Sequence, residues 1–476
     1  MLAPLVNIFR IPDLRRKIFF TVALLIVCRV GVFVPIPGVD THSISRWLTH
    51  LGTAAGATAG GLGARMLDLV DMFSGGALSR ATVFALGVMP YISASIIFQL
   101  LTTVIKPLEE LAKEGEAGRK KINQYTRYAT VLLCIVQGFF MARYVATFRQ
   151  QIQPPGGAAE VVTFVQDPGF TFYLTAILSL TAGSVFLMWV GEQITEFGIG
   201  NGISLIIMAN IVARMPAAIV SLARGKFMLK LSADEAGKYG ILMGLLLIGI
   251  YVAVVVGVII IQQAQRRVTV QQAKHTRGRR VYGGQRHYMP LRVNQAGVIP
   301  IIFAQSLLTF PTLILAGIVG GMGTGGFARF MRGLTDQLEI GNFLYIILYI
   351  AMIFFFCFFW TAIVFNPIKM ADDMKQYGHF IPGIRPGNKT SDYLEKLMTR
   401  ITLAGAAFLA LIAIMPQLFN RMLNLPWGAA SLYGGTGLLI VVGVALDLVQ
   451  KIESHLLMRH YSGFLKGTRI RGSRQG

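Results

Sequence analysis

The stretch RMLDLVDMFSGGALSRATVFALGVMPYISASIIFQLLTTVI, residues 65–105, decides the fold of this chain. Its first part has the period of a short amphipathic helix. The apolar stripe contains Met66, Leu69, Val70 and Phe73, and the charged stripe contains Arg65, Asp68 and Asp71. Gly75 and Gly76 are predicted to end this helix, because residues without a Cβ favour helix C-termini. At 1.5 Å per residue the helix reaches about 15 Å, so it can enter an apolar slab of about 30 Å but cannot cross it.

The second part of the stretch, from Arg80 to Ile105, is predicted to be one helix long enough to cross a membrane. One of its stripes is half polar and contains Val88, Ile92, Ser95, Gln99 and Thr102. Polar groups are costly in hydrocarbon, so this stripe should face protein or a water-filled cavity. A short plug-like helix, a Gly-Gly break and a half-polar helix together suggest a gated pore. The alternative is a buried helix whose Ser and Gln side chains form ordinary hydrogen bonds in a bundle.

The composition of the whole chain is that of a polytopic membrane protein. Apolar residues make up 54% of its 476 residues, charged residues 14%, and the mean hydropathy is +0.60. Such values are unusual for a soluble domain. Ten segments are long and apolar enough to span, near residues 18–36, 80–105, 127–146, 169–190, 202–220, 239–263, 295–318, 341–365, 398–417 and 434–450. The first lacks a small-residue cleavage site and is interpreted as a retained span.

The positive charges predict the orientation of these spans. If the N-terminus is cytoplasmic, the segments inside contain 29 Lys and Arg residues and the segments outside contain 10. This distribution obeys the positive-inside rule and predicts that both termini are cytoplasmic. The net charge of +22 is therefore largely topological and requires no nucleic-acid partner.

Three inside segments carry an excess of basic residues: the loops 264–294 and 366–396 and the tail 451–476. The first contains eight Lys and Arg residues without any acidic residue, and it alternates like a β-hairpin with basic residues near its tip. In the second, Pro382 and Pro386 stiffen a tight excursion that presents Arg385. These charges could merely enforce topology, and Arg385 could be an ordinary solvated loop residue. The thirty patterned residues of loop 264–294, however, exceed what topology needs and favour a docking surface for a large acidic partner.

A faint internal repeat links the two halves of the chain. Residues 297–302, GVIPII, match residues 87–92, GVMPYI, in spacing, and each segment begins the second span of a five-span half. Five is odd, so the halves 1–220 and 221–476 would be inverted relative to each other, with a central path at their interface. Six apolar residues can also match by chance.

Two other classes of protein are considered. A secondary transporter could show broken helices and an inverted repeat, but no predicted span centre holds an acidic residue or His suited to ion coupling. An intramembrane enzyme is disfavoured because the chain contains no HExxH motif, no GxSxG motif with a plausible His partner and no intramembrane Asp pair. Cys28, Cys134 and Cys357 are isolated in separate spans, so neither a metal site nor a cofactor is expected.

Ten sequence blocks, in order along the chain, carry a resemblance to a known family. They are FVPIPGVD, MFSGGALSRATVFALGVMPYISASII, EGEAGRKKINQYTRYAT, GEQITEFGIGNGIS, QRRVTV, GRRVYGG, NQAGVIP, FFCFFWTAIVFNP, FIPGIRPG and GGTGLLIVV. Across nearly its whole length the chain resembles the bacterial SecY family, the central subunits of the Sec protein-conducting channel. The resemblance implies an all-α integral membrane protein with ten transmembrane helices, in two pseudo-symmetric halves around an hourglass pore.

The resemblance also implies functional residues. The plug would contain Arg65, Met66, Leu67, Asp68, Leu69, Val70, Asp71, Met72, Phe73, Ser74, Gly75 and Gly76. The pore ring would contain Val88, Ile92, Ile207, Ile302 and Ile440. Val88 departs from the Ile common at its position, which should loosen the ring slightly. The polar residues of a lateral gate, between the second and third spans and the seventh and eighth, would be Ser95, Gln99, Gln137 and Asn294.

The partners implied by the resemblance follow from the basic loops and the membrane. Arg279, Arg280 and Arg385 match positions with which such channels engage the SecA motor or the ribosome. Further expected partners are the small membrane subunits SecE and SecG, signal peptides, unfolded client polypeptides and membrane lipid. No catalytic residue, cofactor or metal is implied. The expected location is the inner membrane of a bacterium.

Overall fold

The computed structural model describes residues 11–40, 42–44, 71, 73–147, 149–152, 160–165, 169–224, 233–273, 275–277, 280–282, 284–305, 307–308, 326–338, 341–423 and 430–467. This part of the chain is mostly helical. Its helices are α1 Pro12–Gly31, α2 Met89–Val104, α3 Lys106–Lys113, α4 Glu116–Thr147, α5 Phe170–Phe197, α6 Gly202–Arg224, α7 Ala233–Gln263, α8 Gly326–Gln337, α9 Phe343–Val364, α10 Pro367–Gln376, α11 Asn388–Leu423 and α12 Gly435–Gly467. Its strands are β1 Arg149–Ile152, β2 Glu160–Thr163, β3 Gln265–Gln272, β4 His275–Arg277, β5 Arg280–Tyr282, β6 Arg286–Arg292 and β7 His379–Phe380.

Six described helical segments are long and apolar enough to cross a membrane. They are Glu116–Arg143, Phe170–Phe197, Leu245–Gln263, Phe343–Gln376, Asn388–Met422 and Gly435–Ser454. The pair α2 and α3, bent by 99°, would be a seventh. Helices α1 and α6 cover most of two further predicted spans, and residues 299–305 and 307–308 are the helical part described of a third. The count of ten spans stays a prediction.

The predicted single helix from Arg80 to Ile105 is wrong in its first third. Residues 77–88 form turns, and α2 begins only at Met89. Pro90 lies in the first turn of α2, where its missing N–H is harmless and its fixed φ suits a helix start. The turn segment runs beside the end of α1, where Pro35 and Thr82 form an antiparallel bridge. The apolar composition of residues 80–88 serves burial between helices, and it imitates a transmembrane helix in the sequence.

The described residues form two compact units. The first contains the described residues of Met1–Ala57, Leu67–Pro216 and Val444–Gly476. In this unit α2 packs against α4, and α4 packs against α5. Its principal core contains Ile36, Ile44, Leu78, Ala81, Ala85, Met141, Ala142, Val145, Phe164, Val165, Phe172, Ala176 and Leu180. The core therefore joins α4 and α5 to the turns before α2.

The second unit contains the described residues of Ala217–Gly443, in which α9 packs against α11. Its helical core includes Leu247, Ala430 and Tyr433. The loops before and after its helices form a three-stranded antiparallel sheet in the order β6-β3-β7. The hairpin predicted for residues 264–294 is confirmed, with β3 and β6 paired from Gln265–Arg292 to Gln271–Arg286. The predicted halves 1–220 and 221–476, and their inverted symmetry, stay predictions.

Candidate functional site: plug base, collar residues and basic sheet

The described end of the predicted plug is organised by one buried carboxylate. We call this end, residues 71 and 73–76, the plug base. Asp71 is only 1% exposed, and its Oδ1 accepts hydrogen bonds from the backbone N–H groups of Leu78 (2.8 Å) and Ser79 (3.0 Å). The hydroxyl of Ser74 donates to the same oxygen at 3.2 Å. A carboxylate that accepts several such bonds caps a turn strongly, so Asp71 fixes the path of the chain out of the plug.

Helix α6 holds the plug base through two polar side chains one helical turn apart. Arg214 Nη1 lies 3.1 Å from Asp71 Oδ2 as an ion pair that lacks hydrogen-bond alignment. Asn210 Nδ2 donates to the carbonyl oxygen of Phe73 at 3.0 Å. The pair is nearly dry on the Asp71 side, where an unpaired charge would be expensive. The plug base is therefore fastened to α6 by an ion pair and a backbone-directed amide.

Helix α1 adds a third contact through an arginine. Arg29 Nη1 donates to the carbonyl oxygen of Gly75 at 3.1 Å. Gly75 and Gly76 have φ values of +69° and +92°, which glycine adopts without strain. A Cβ on Gly75 would lie 2.6 Å from Arg29 Nη1 and 2.9 Å from Asn210 Oδ1. Only glycine allows both side chains to approach the chain this closely.

The structure describes part of the predicted plug, and its role as a plug stays a prediction. Asp71, Phe73 and Ser74 are helical, and the helix ends at Gly75 as predicted. Arg65–Val70 and Met72 lie outside the described residues. Sequence reasoning placed Asp71 on a polar stripe but missed its ion-pair partner Arg214. It also missed Arg29 and Asn210, which donate to the carbonyl oxygens of Gly75 and Phe73. An arginine within an apolar segment is by default a functional candidate, and that rule would have singled out Arg29 and Arg214.

Three predicted ring residues lie in the first unit. Val88 is buried and directly precedes α2, whereas Ile92 is half-buried in its first turn. Ile207 is buried on α6, three residues before Asn210. Since Asn210 binds the plug base, the helix that carries Ile207 also holds the end of the plug.

The other two ring residues lie in the second unit. Ile302 is half-buried, and Ile440 is buried on α12. One turn from each, the hydroxyl of Thr436 donates to Oε1 of Gln305 at 3.0 Å in a buried hydrogen bond. In both units an amide three residues after a predicted ring isoleucine forms a buried hydrogen bond. The five-residue ring itself stays a prediction.

The predicted gate residues lie on separate elements. Ser95 and Gln99 lie on α2, half-buried and exposed respectively, and Gln137 is half-buried on α4. Phe98 stacks on Tyr125 with ring centroids 6.3 Å apart, so α2 and α4 are in direct contact. Asn294 is half-buried just after β6. The gate assembled from all four stays a prediction.

An ion pair that sequence reasoning missed ties α4 to α5. Arg127 Nε lies 2.8 Å from Glu192 Oε1, and its Nη2 lies 2.8 Å from Oε2. This two-pronged geometry restricts both side chains more than a single contact does. The ion pair therefore links α5 to α4, the helix against which α2 packs.

The two predicted docking loops fold into one body. Strand β7, from loop 366–396, pairs with β3, from loop 264–294, through Gln271–Phe380 and Gln272–His379. Beneath this sheet lies a common apolar core of Val268, Leu291, Phe365, Ile381, Leu394 and Met398. We call this body the basic sheet, defined as β3, β6, β7 and the residues of this core. Its existence could not be read from either loop alone.

The described docking arginines lie in segments next to the basic sheet. Arg385 is exposed in a tight excursion between Gly383 and Gly387, and its carbonyl oxygen accepts a hydrogen bond from Thr390 Oγ1 at 2.9 Å. Arg280 begins β5, where it pairs with Arg277 of β4. Arg279 lies outside the described residues. Arg385 thus lies in a tight loop next to the basic sheet, and Arg280 lies in a short β-hairpin.

Comparison with known proteins identifies the family of this chain. A family model for SecY matches residues 82–449 of the chain. The chain belongs to the SecY family. Among its relatives, the protein translocase subunit SecY of Escherichia coli K12 is 43% identical over 461 residues, covering 97% of this chain and 96% of the relative. The SecY of Thermotoga maritima is 40% identical over 469 residues, covering 98% of this chain and 99% of the relative.

Solved structures share the fold at low identity. A structure described as that of a protein-conducting channel has a TM-score of 0.56 and 16% identity, covering 96% of this chain and 95% of that chain. A SecY structure described in terms of a plug domain that stabilises the closed state and maintains a membrane seal has a TM-score of 0.53, with the same identity and coverage. Sec61 in a canine ribosome-channel complex has a TM-score of 0.52, again with 16% identity and coverage of 96% and 95%.

Membership in the SecY family fixes the class of function. The SecY family consists of subunits of a protein-conducting channel, and the chain is a membrane protein of that class, not an enzyme. The secondary transporter considered from the sequence is not supported. The recognition of the family from ten sequence blocks is confirmed.

Proposed function

We propose that this chain forms the pore through which unfolded secretory polypeptides cross the inner membrane of a bacterium, and from which apolar segments leave sideways into lipid. The observation that carries this proposal is the plug base. Its helix end lies inside the protein and is held by Arg214, Asn210 and Arg29, as a stopper with a fixed attachment would be.

The seal of the idle pore rests on two barriers. The ring of Val88, Ile92, Ile207, Ile302 and Ile440 would present only aliphatic side chains, which resist ions by dewetting. Such side chains make no lasting hydrogen bond to a passing polypeptide and deform around varied residues. The plug would close the path on one side of the ring. Asn210 supports this arrangement because it connects the helix of Ile207 to the plug base.

Sideways release would follow from partitioning. An opening lined by Ser95, Gln99, Gln137 and Asn294 would let a segment sample water and hydrocarbon. A segment of about 20 apolar residues would then leave into lipid, because its summed transfer free energy favours the membrane core. Support for this role comes from the contact of α2 with α4 and from the polar character of the four side chains.

The energy for transport would come from partners at the basic sheet. We place this sheet and both termini in the cytoplasm, in agreement with the 29 to 10 distribution of Lys and Arg. Arg279, Arg280 and Arg385 would engage the SecA motor or the ribosome, and SecE and SecG would complete the channel. A relative of the fold bound to a ribosome supports a large partner of this kind.

Idle ion conductance tests the proposed seal. Replacing Ile207, Ile302 and Ile440 together with Ser should raise the conductance of the reconstituted chain in planar bilayers, because hydroxyls wet the constriction. Ile97→Ser is the matched control, since Ile97 is on α2 but is 45% exposed and outside the ring. Equal conductance in the triple variant, the control and the unchanged chain would contradict the ring.

A further inference from the structure

Helix α8 has two unlike faces. At 100° per residue, Phe327, Phe330 and Leu334 fall on one face, and Arg329 and Arg332 fall on the opposite face. Phe327 is 63% exposed and Phe330 is 65% exposed, so the described part of the chain leaves the apolar face largely uncovered. Two large aromatic side chains in water are costly, and this face therefore needs an occupant.

The position of α8 brings it to one edge of the apolar slab. Helix α9 has 22 residues and is about 33 Å long, which matches the hydrocarbon thickness of a bilayer. One end of α9 leads into Phe365 of the basic sheet. At the other end Asn342, its N-cap, accepts a hydrogen bond from Arg421 Nη2 at 3.3 Å, near the end of α11. Helix α8 precedes this second end, opposite the basic sheet.

The linker restricts how far α8 can leave that edge. Helix α8 ends at Gln337 and α9 begins at Phe343, so five residues join them. Five residues extend at most about 18 Å. With 12 residues, α8 is about 18 Å long and too short to cross the slab. The geometry leaves α8 near the headgroup layer.

We propose that α8 lies flat in the bilayer interface, with its apolar face immersed in phospholipid. Phe327, Phe330 and Leu334 would contact acyl chains, and Arg329 would lie at the level of the lipid phosphates. Aromatic side chains on one face and arginines on the other are the composition of helices that bind this layer. Helix α8 thus anchors the end of α9 that is remote from the basic sheet. This role is separate from the proposed pore.

A depth scan of α8 tests the proposal in the full chain. Single cysteines are introduced at successive positions from 326 to 337, labelled with a nitroxide and reconstituted in vesicles of phosphatidylcholine and phosphatidylglycerol. Labels at 327, 330 and 334 should collide with oxygen more than with a water-soluble nickel chelate, and their immersion should be about 5–10 Å. The matched neighbour Arg329→Cys should show the reverse preference. The native Cys28, Cys134 and Cys357 are buried, and the unchanged chain measures their labelling.

Two outcomes would overturn the proposal. Nickel access at every position would place α8 in water. Exclusion of both reagents from positions 327, 330 and 334 would mean that protein covers the apolar face. A second measurement avoids the nitroxide: a brominated phospholipid should quench the added fluorescence of Phe330→Trp more than that of Arg329→Trp. Because both readouts report depth, failure of polypeptide transport leaves their result unchanged.

Discussion

At the scale of single residues, the Asp71–Arg214 ion pair attaches the plug base to α6. Asp71 is buried, whereas the Arg214 side chain is 34% exposed. The Asp71 charge therefore depends on its partner more than the Arg214 charge does. Loss of Arg214 would leave a buried carboxylate with only the backbone N–H groups of Leu78 and Ser79 and the hydroxyl of Ser74 as donors. Loss of the Asp71 charge would weaken the cap of the turn and the hold of α6 together. Removal of one partner of a buried pair costs more than the pair itself contributes.

A double-mutant cycle on this pair tests the attachment of the plug base. Asp71→Asn and Arg214→Gln should each increase idle ion conductance, and the double variant should fall short of the sum of the two effects. Residues in direct contact show coupling of about 0.5–3 kcal/mol, which is about twofold to more than about 100-fold in an opening equilibrium. Asp447→Asn is the control, because the Asp447–Lys451 pair is exposed and local to one helix. Strict additivity, or conductance equal to that of the control, would refute the coupling.

At the scale of elements, the late start of α2 and the shared basic sheet organise the molecule. The turns of residues 77–88 fill space between helices, where Gly183 of α5 passes so close that a Cβ would lie 2.2 Å from the carbonyl oxygen of Val83. The basic sheet joins two loops, 264–294 and 366–396, that are far apart in the sequence. Its core includes Leu394, which is fully buried. Both loops therefore move, or stay fixed, as one body.

Charge reversal in the two loops 264–294 and 366–396 tests partner docking. Arg279, Arg280 and Arg385 changed together to Glu should impair motor- or ribosome-dependent transport while membrane insertion of the chain stays intact. The reason is electrostatic: three reversed charges repel an acidic partner, and the loss should be greatest at low salt. Arg421→Glu is the control. Arg421 lies near the end of α11, whereas Arg385 lies shortly before the start of the same helix. Normal transport by the triple variant would exclude these arginines from docking.

At the scale of the whole molecule, two compact units divide the proposed ring between them. Val88, Ile92 and Ile207 belong to the first unit, and Ile302 and Ile440 to the second. In each unit a buried amide, Asn210 or Gln305, fixes the helix that carries a ring isoleucine. Each unit thus contributes aliphatic residues to the proposed ring, and each has its own apolar core.

Crosslinking to a stalled precursor tests the path through the molecule. Single cysteines at positions 88, 92, 207, 302 and 440 should each form a crosslink with a probe on a secretory precursor arrested during transport, because all five should line the narrowest part of the path. Val256→Cys on α7 is the control, since that side chain is exposed on an apolar helix and should react with a lipid-soluble probe instead. If the five cysteines behave like the control, the path lies elsewhere.

Much of the organisation is present in the sequence. The apolar segments, the basic loops, the β-hairpin of residues 264–294 and the helix end at Gly75 could all be predicted, because each depends on local period, charge or glycine. The family followed from blocks of sequence in a fixed order. Residues 80–88 misled the prediction of a helix start, because buried turns and buried helices draw on the same apolar residues.

Only the tertiary structure decided which distant polar groups meet. Asp71 forms an ion pair with Arg214, more than a hundred residues away in the sequence. Thr436 donates a hydrogen bond to Gln305, and β7 pairs with β3. The physical reason is that local pattern fixes whether a side chain is buried, whereas its partner depends on how helices pack. A buried polar group must be satisfied, so the sequence by itself determined that such partners exist, and the packing of the helices determined which residues they are.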